Sequence, residues 1–264
     1  MWLLSADRAE LEFFPTPESV PAPGYAILSH VWSRDPKDEQ TFQETNDLRL
    51  RCSSTGENPR DLASAKIRDF CMLAERHGYR WVWVVTCCID KSSSSELSEA
   101  LNSMYRYYVL ADVCYAYLLD VLYNSNLLKE GSEFRTSRWH SRGWTLQELI
   151  APEIVVFVSS GPDGWSVLGS KADLAEVLQA ITNVPVSVLR MEREVADIGI
   201  AARMSWAAQR QTTRPEDEAY CLMGIFGVYM STLYGEGRNA FRRLQEEIMK
   251  HNVDTSIFAW GGIF

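Results

Sequence analysis

The chain has 264 residues, 46% of them hydrophobic, which suits one large domain or one domain with a helical extension. Its formal net charge of −9 argues against general binding to nucleic acid or to anionic membranes. No uncharged apolar run has the length that spans a bilayer, and the N-terminus lacks the features of a secretory signal. The six cysteines form no CxxC pair, so the sequence predicts a reducing compartment, the cytoplasm.

Four apolar runs have the length and the aromatic or β-branched content of buried strands. They lie at residues 25–29, 80–86, 113–118 and 154–158. Helical patterns separate these runs and then continue to the C-terminus. They lie at residues 62–77, 93–108, 144–151, 170–181, 196–210, 212–228 and 235–251. At the start of the second helix, Ser93 and Glu96 fit a capping box.

The alternation of strands and helices predicts an α/β fold, a parallel sheet with helices on both faces, followed by a helical C-terminal lobe. We expect residues 1–160 to form the α/β core and residues 161–264 to form the helical part. Ligands bind such sheets at the carboxyl ends of the strands. His30 and Trp32 follow the first predicted strand and Asp90 follows the second. The sequence therefore predicts a site at this edge.

The segment that precedes the fourth strand concentrates aromatic and charged side chains. Trp144 and Glu148 are four residues apart, so they share one face of a helix that ends before Pro152. Trp139 and Arg142 precede them. A carboxylate among indoles and a guanidinium can have a shifted pKa or hold a cationic sugar-like species. The alternative is structural, with Trp144 packed in the core and Glu148 paired to Arg142.

Other catalytic arrangements have less support. The chain contains no GxGxxG, P-loop, GxSxG or HExxH motif, and its four histidines are scattered, so no zinc site is expected. Cys87 or Cys88 as a nucleophile, with His30 as base and Asp90 as orienting acid, competes with the interpretation of buried, inert thiols. A carboxylate pair of Asp90 and Glu148 would flank a sugar bond.

The segment Thr213–Asp217 has two interpretations. Pro215 and the acidic residues after it are typical of the first turn of a helix. Alternatively, Arg214 would close over an anion together with Arg210. We favour the helix start, because structural charges outnumber functional ones.

Ten stretches, which together extend over essentially the whole chain, resemble one family, the fungal heterokaryon incompatibility (HET) domain. They lie at residues 25–32, 86–91, 98–108, 115–118, 142–152, 203–208, 210–217, 219–226, 233–237 and 258–260. The resemblance implies a role in nonself recognition, in which family members trigger programmed cell death when incompatible cells fuse. It also implies a partner incompatibility protein.

The resemblance further implies a distant relation to TIR domains, and hence a TIR-like, flavodoxin-like core that cleaves NAD. TIR enzymes carry a catalytic glutamate in a Trp-Cys-x-x-Glu-Leu motif, and Trp144–Leu149 has the same spacing. Glu148 is accordingly the expected catalytic carboxylate. The TIR loop after the first strand lines the nucleotide, which here corresponds to Ser29, His30 and Trp32.

The first hypothesis is therefore NAD hydrolysis, with NAD as substrate and no separate cofactor. Glu148 would stabilise an oxocarbenium-like state as the bond between nicotinamide and ribose breaks. Trp144 would stack on a base, and Arg142 or Arg214 would meet the pyrophosphate. Asp90 would complete the substrate site.

The second hypothesis is a non-enzymatic death-signalling module that acts by self-assembly. Val85 favours it, because the family usually has Asp at this position, before Thr86. The helical C-terminal lobe favours it as well. On either hypothesis we expect a homo-oligomer on activation.

Overall fold

A seven-stranded mixed sheet forms the centre of the protein. The computed structural model describes residues 1–33, 35, 39–162, 164–251, 254 and 256. In chain order the strands are β1 (Trp2–Ser5), β2 (Leu11–Phe13), β3 (Tyr25–His30), β4 (Trp81–Trp83), β5 (Val113–Tyr117), β6 (Val155–Gly161) and β7 (Gly164–Ser170). Their order across the sheet is β2-β1-β4-β3-β5-β6-β7. The four strands predicted from the sequence are therefore the four central ones.

The directions of the strands differ between the centre and the edges of the sheet. Strands β4, β3, β5 and β6 are parallel, whereas β1 and β2 at one edge and β7 at the other are antiparallel. The prediction of a parallel sheet is right for the centre and wrong at both edges. Every residue of β3 and β5 is buried, as expected for parallel strands that are covered on both faces.

Strand β7 lies in the part of the chain that was predicted to be helical, residues 161–264. It forms a hairpin with β6, closed by the pair Gly161 and Gly164. Its Trp165 stacks on Tyr117 at the end of β5, with ring centroids 4.2 Å apart. This aromatic contact lies across the sheet, between positions far apart in the sequence, so the local pattern of residues 164–170 did not reveal the strand.

Twelve α-helices occur among the described residues. They are α1 (Phe42–Thr55), α2 (Pro59–Leu62), α3 (Ala65–Arg76), α4 (Ser94–Val109), α5 (Glu133–Thr136), α6 (Thr145–Ile150), α7 (Ala175–Thr182), α8 (Val186–Leu189), α9 (Ile200–Ser205), α10 (Asp217–Tyr220), α11 (Met223–Phe226) and α12 (Asn239–His251). Short 3₁₀ helices lie at Pro17–Ser19, Arg138–Ser141 and Val195–Asp197. Helices α1 to α3 connect β3 to β4, α4 connects β4 to β5, and α5 and α6 connect β5 to β6.

Local capping decides where the helices of the core begin. The Ser93 hydroxyl accepts the Glu96 N–H at 3.3 Å at the start of α4, as predicted. The Glu96 carboxylate instead accepts the Asp90 N–H at 3.0 Å, so it ties the preceding loop to the helix. Helix α3 begins three residues later than predicted because α2 is a separate turn. The Asn58 side chain caps that turn and accepts the Arg60 N–H at 3.0 Å.

The long helices predicted over residues 196–210 and 212–228 are broken into the shorter helices α9, α10 and α11. Helix α11 packs on α4 at very short range. A Cβ atom built on Gly224 would lie 2.1 Å from the Cβ atom of Tyr105, so this contact requires glycine. No described helix is both long and apolar enough to cross a membrane. The predicted family stretch at residues 258–260 lies outside the described residues.

Candidate active site

The strand order of the sheet reverses between β3 and β5, and we call the carboxyl ends of these two strands the crevice, after the place where α/β sheets bind ligands. Strands β3 and β5 are neighbours in the sheet. From β3 the chain continues to β4 on one side of this pair, and from β5 it continues to β6 on the other side. Ligands bind α/β sheets at such a reversal. Ser29 and His30 end β3 at this point and pair with Ala116 and Tyr117 of β5. The structure therefore places both predicted residues at the crevice.

A polar network joins the crevice to helix α6. Glu148 accepts a hydrogen bond from the Ser29 hydroxyl through its Oε2 atom. The same hydroxyl oxygen accepts the indole N–H of Trp139 at 2.8 Å. The Tyr108 hydroxyl interacts with the Glu148 carboxyl and donates to the carbonyl oxygen of Leu28 at 3.1 Å. We call Ser29, Tyr108, Trp139 and Glu148 the inner network.

Burial controls the charge of Glu148. Only 7% of the residue is exposed, and this burial raises the pKa of its carboxyl to about 7. The hydrogen bonds of Ser29 and Tyr108 and the charges of Arg142 and Arg210 act in the opposite direction. The carboxyl therefore exists in both protonation states near neutral pH. Such a group is suited to transferring a proton or stabilising a developing positive charge.

Three predicted site residues gather around a carboxyl that the sequence analysis did not single out, Asp217. The Trp144 side chain hydrogen-bonds to Asp217, and the charges of Arg142 and Arg214 both act on it. Burial raises the pKa of this carboxyl, against these contacts. The expected alternative of an Arg142–Glu148 pair is wrong, because the described residues contain no such ion pair. The sequence signal at Asp217 was only that of a helix start.

The loops after β3 and β4 present Trp32, Asp90 and Lys91, which we call the outer rim. Trp32 is 43% exposed, and the Lys91 ammonium lies 4.0 Å from the centre of its ring, in cation–π contact. The Asp90 Oδ1 atom accepts the Ser92 N–H at 2.9 Å and a hydrogen bond from the Gln43 amide at 2.6 Å. Hydrogen bonds, first of all from the Ser92 hydroxyl, lower the pKa of Asp90.

His30 is turned into the protein and is hydrogen-bonded there. Its Nε2 atom lies 3.2 Å from the Glu39 carboxylate, which also pairs with Lys66. Burial lowers the pKa of His30, against the hydrogen bond and the charge of Glu39. Burial also raises the pKa of the Cys87 thiol to about 11 and that of Cys88 well above its usual range. Neither thiol is activated, which argues against the cysteine nucleophile.

Three cavities of similar size lie near the predicted site or beside the edge strands β1 and β2, and their linings differ. The first, of about 210 Å³, lies beside Gly143 and Arg210. The second, of about 220 Å³, lies beside His140 and is also lined by Arg210. The third, of about 230 Å³, lies beside Trp83. Glu148 is not among the residues that line these three cavities, and only 7% of it is exposed, so its carboxyl has little access to solvent in this structure.

The segment that begins at Arg210 is tied to the loop before α6. The Gln211 N–H donates to the Ser141 carbonyl oxygen at 2.7 Å, and the Gln211 carbonyl oxygen accepts the Gly143 N–H at 2.9 Å. The Arg210 Nη1 atom donates to the Thr145 hydroxyl at 2.9 Å, on the helix that carries Glu148. The sequence indicated Arg210 only as a companion of Arg214, and its contact with α6 depends on the long-range fold.

The described residues contain no group of three or more His, Cys, Asp or Glu side chains that could hold a metal ion. Val85, the departure from the family pattern, is half-buried against the hydrophobic core, directly before the buried Thr86. Its side chain therefore belongs to the packing of the hydrophobic core.

Comparison with known proteins identifies relatives of the chain. Residues 25–130 match the family model "Heterokaryon incompatibility protein (HET)", and residues 239–264 match "Domain of unknown function (DUF8212)". The vegetative incompatibility protein HET-E-1 of Podospora anserina is 41% identical over 257 residues, which are 95% of this chain and 18% of that protein. The chain thus spans a small part of the relative's length. No solved structure matches the chain significantly. The family match and the similarity to HET-E-1 agree with the sequence motifs, and the chain belongs to the heterokaryon incompatibility (HET) family.

Proposed function

We propose that this chain is the effector domain of an incompatibility protein and triggers programmed cell death by hydrolysing NAD at Glu148. The observation that carries the proposal is the buried Glu148 carboxyl, with a pKa of about 7, hydrogen-bonded to the end of β3. The parallel strands supply further support. Their order β4-β3-β5-β6 corresponds to 2-1-3-4 among the parallel strands, as in flavodoxin-like sheets. This order supports the TIR-like relation.

The proposed reaction breaks the bond between the nicotinamide nitrogen and the ribose. The electron pair of this bond leaves with nicotinamide, and the ribose acquires oxocarbenium character. Water then adds to the anomeric carbon and loses a proton, which gives ADP-ribose. The ionised Glu148 stabilises the positive charge of the ribose, as carboxylates do in glycosidases. Ser29 and Trp139 hold the carboxyl in place through their shared hydrogen bonds.

The other predicted residues have proposed roles along the rest of the substrate. Trp32 and Trp144 are exposed or half-buried and offer ring faces for base stacking. Arg142 and Arg214 supply guanidinium groups of the kind that bind pyrophosphate. Asp90 is the carboxylate of the outer rim and would accept a hydrogen bond from a ribose hydroxyl. Ser29 and His30 are both buried at the end of β3, so they would contact the substrate only after the site opens.

The burial of Glu148 makes an opening step part of the proposal. Only 7% of Glu148 is exposed, and the Arg210 segment is hydrogen-bonded to the loop before α6 and to Thr145 at the start of that helix. We propose that homo-oligomerisation on activation, or contact with a partner incompatibility protein, releases these contacts and admits NAD. An assembly-gated enzyme of this kind gains activity as its own concentration rises.

The test is NAD consumption by the purified chain over a wide range of protein concentration. We expect turnover that grows faster than the protein concentration and falls at least about a thousandfold in Glu148→Gln, because the variant cannot carry the stabilising charge. Glu153→Gln, an exposed glutamate five residues away, is the matched control and should retain turnover. Equal turnover in wild type and Glu148→Gln would exclude the proposed site.

Exposed apolar side chains after β5 favour the second candidate, a non-enzymatic module that acts by self-assembly. Leu119, Leu122, Tyr123 and Leu128 are 67%, 60%, 48% and 65% exposed. Large exposed apolar side chains that are neighbours along one loop are typical of interaction surfaces. This candidate predicts that Glu148→Gln still kills cells, whereas Leu119→Asp with Leu122→Asp does not. Absence of NAD turnover at every concentration, also in Val85→Asp, would favour it over the enzyme.

A further inference from the structure

The second cavity has a lining that differs from those of the other two, and we call it the cationic cleft. It lies between the 3₁₀ helix Arg138–Ser141, the end of α7 and the end of α9, and its volume is about 220 Å³. Its chemistry comes from cations and neutral polar groups, chiefly Arg135, His140, Arg210, Gln209, Ser141 and Asn183. None of the described residues that line it carries a carboxylate. Glu218 lines the first cavity, and Glu96 and Glu99 line the third.

The two guanidinium groups of the cleft lack anionic partners. Neither Arg135 nor Arg210 forms an ion pair with a described residue. The Nε atom of Arg135 and the Nη2 atom of Arg210 are buried and have no hydrogen-bond partner in the described part of the chain. Buried polar groups are normally hydrogen-bonded, and buried cations are normally paired. The cleft therefore holds two guanidinium groups that no described carboxylate pairs with directly, and each has one buried donor without a partner.

Two neighbouring acids among the described residues act on the cleft from outside, and neither forms an ion pair with Arg135 or Arg210. Burial lowers the pKa of Arg210 to about 10, so the guanidinium stays charged at neutral pH. Glu148 acts on Arg210, but its own carboxyl is only partly ionised at that pH. Asp120 acts on His140, and its two oxygens already accept hydrogen bonds from the Ser137 hydroxyl and the Arg138 N–H.

We propose that the cationic cleft binds the phosphate or pyrophosphate group of a small molecule. Guanidinium groups bind phosphate oxygens through paired N–H donors, and the hydroxyl and amide groups of the lining supply further donors. The cleft is smaller than the roughly 300–1,000 Å³ of a site that encloses a whole drug-sized ligand, so it takes the phosphate end and leaves the rest outside. On binding, the buried Arg135 Nε and Arg210 Nη2 atoms turn toward the oxyanion and donate hydrogen bonds to it.

Arg210 connects this cleft to the inner network. One of its nitrogens, Nη1, donates to the Thr145 hydroxyl at 2.9 Å, and Thr145 opens the helix that carries Glu148. An oxyanion that engages Arg210 therefore acts on helix α6 directly. The ligand has two chemical sources, the pyrophosphate of the dinucleotide substrate itself or a separate phosphorylated effector. In the first case Arg135 and Arg210 take the role that the proposed function gives to Arg142 and Arg214, and in the second case that role stays with Arg142 and Arg214. The first source rests on the proposed function and the second does not.

The test measures binding of inorganic pyrophosphate to the chain by calorimetry, which needs no turnover. Gln209 is exposed and lines the cleft, so Gln209→Glu brings a repelling charge to it without disturbing the core. Gln211→Glu is the matched control, because Gln211 is also exposed but does not line the cleft and lies beside Arg142. We expect saturable binding that Gln209→Glu and Arg135→Gln each weaken at least about tenfold and Gln211→Glu leaves unchanged.

Three results would overturn the proposal: no saturable binding to the wild type, equal weakening by the two glutamate substitutions, or weakening by Gln211→Glu alone. The last result would move the oxyanion to Arg142 and Arg214. A competition between NAD and pyrophosphate for binding to the Glu148→Gln variant, which should not hydrolyse NAD, then identifies the source of the ligand. Displacement of pyrophosphate by NAD supports the substrate's own pyrophosphate, and simultaneous binding supports a separate effector. If the chain binds pyrophosphate in this way but never hydrolyses NAD, the phosphate site is supported and the proposed hydrolysis is contradicted.

Discussion

The inner network and the outer rim lie at the same end of the parallel strands and are built from similar side chains, a carboxylate and a tryptophan each. In the inner network burial raises the pKa of Glu148 to about 7. In the outer rim the hydrogen bonds of Ser92 lower the pKa of Asp90. The difference teaches that exposure, more than the choice of residue types, sets the charge of an acid at this edge.

The tryptophans differ in the same way. Trp139 is 1% exposed, packs against Phe157 with ring centroids 5.5 Å apart, and donates its N–H to Ser29. Trp32 is 43% exposed and has the Lys91 ammonium over its ring. Trp139 is therefore a packing residue that also donates a hydrogen bond to Ser29, whereas Trp32 is largely exposed to solvent and contacts Lys91. Substitutions in the two regions should differ in size accordingly.

The largest expected effect is that of Trp139→Ala. The substitution removes a buried indole and leaves Ser29 without its donor, so we expect the free energy of unfolding to fall by about 3–5 kcal/mol. Trp32→Ala in the outer rim should cost less than about 1 kcal/mol. Urea denaturation of the two variants measures both changes. Similar losses would show that the outer rim is as tightly packed as the inner network.

A smaller effect is expected from the titration of Glu148. The pKa of its carboxyl is about 7 in the folded chain, against 4.5 for an unperturbed glutamate, so the folded state binds the proton more tightly. Stability is therefore greatest below pH 4.5 as far as this group is concerned, and roughly 3 kcal/mol is lost as the pH rises to 7 and above. In a plot of the melting temperature against pH, Glu148→Gln should therefore remove the decline between about pH 4.5 and 7. The same substitution at an exposed glutamate, Glu130→Gln, should leave this decline unchanged. An unchanged slope in Glu148→Gln would contradict the raised pKa.

The sequence predicted the central strands and singled out Glu148 as a candidate, but it did not predict the surroundings of that residue. Strands β3 and β5 are continuous apolar runs, which local patterns detect. The Ser29–Glu148 hydrogen bond joins residues 119 positions apart, and its geometry depends on how α6 packs on the sheet. The gathering of Trp144 at Asp217 depends in the same way on the C-terminal helices. Spacing along the chain identified Trp144 and Glu148 as residues on one helix face. It could not identify their partners, which are Asp217 and Ser29.

Tyr108→Phe tests the inner network with a change of intermediate size. The hydroxyl donates to the Leu28 carbonyl oxygen and lowers the pKa of Glu148 through its hydrogen bond. Its removal should cost about 1–2 kcal/mol of unfolding free energy and raise the pKa of Glu148 further. If the chain hydrolyses NAD, turnover should rise with pH as Glu148 ionises, and this rise should occur at higher pH in the variant. A loss of stability with an unmoved pH profile would confine Tyr108 to a structural role.

The smallest effect is expected from Asp90→Asn, which repeats in the outer rim the isosteric change made by Glu148→Gln. Asparagine keeps the oxygen that accepts the Ser92 N–H, and the exposed charge is screened by solvent, so the free energy of unfolding should change by less than about 0.5 kcal/mol at neutral pH. The pH dependence should also have the opposite sign. The pKa of Asp90 is lowered, so its ionised form stabilises the fold above the usual aspartate range and this contribution disappears as the pH falls. Glu148→Gln should therefore flatten the neutral limb of the stability profile and Asp90→Asn only the acid limb. If Asp90→Asn instead reduced the pH dependence of stability near neutral pH, Asp90 would be buried in solution. The outer rim and the inner network would then not differ in exposure.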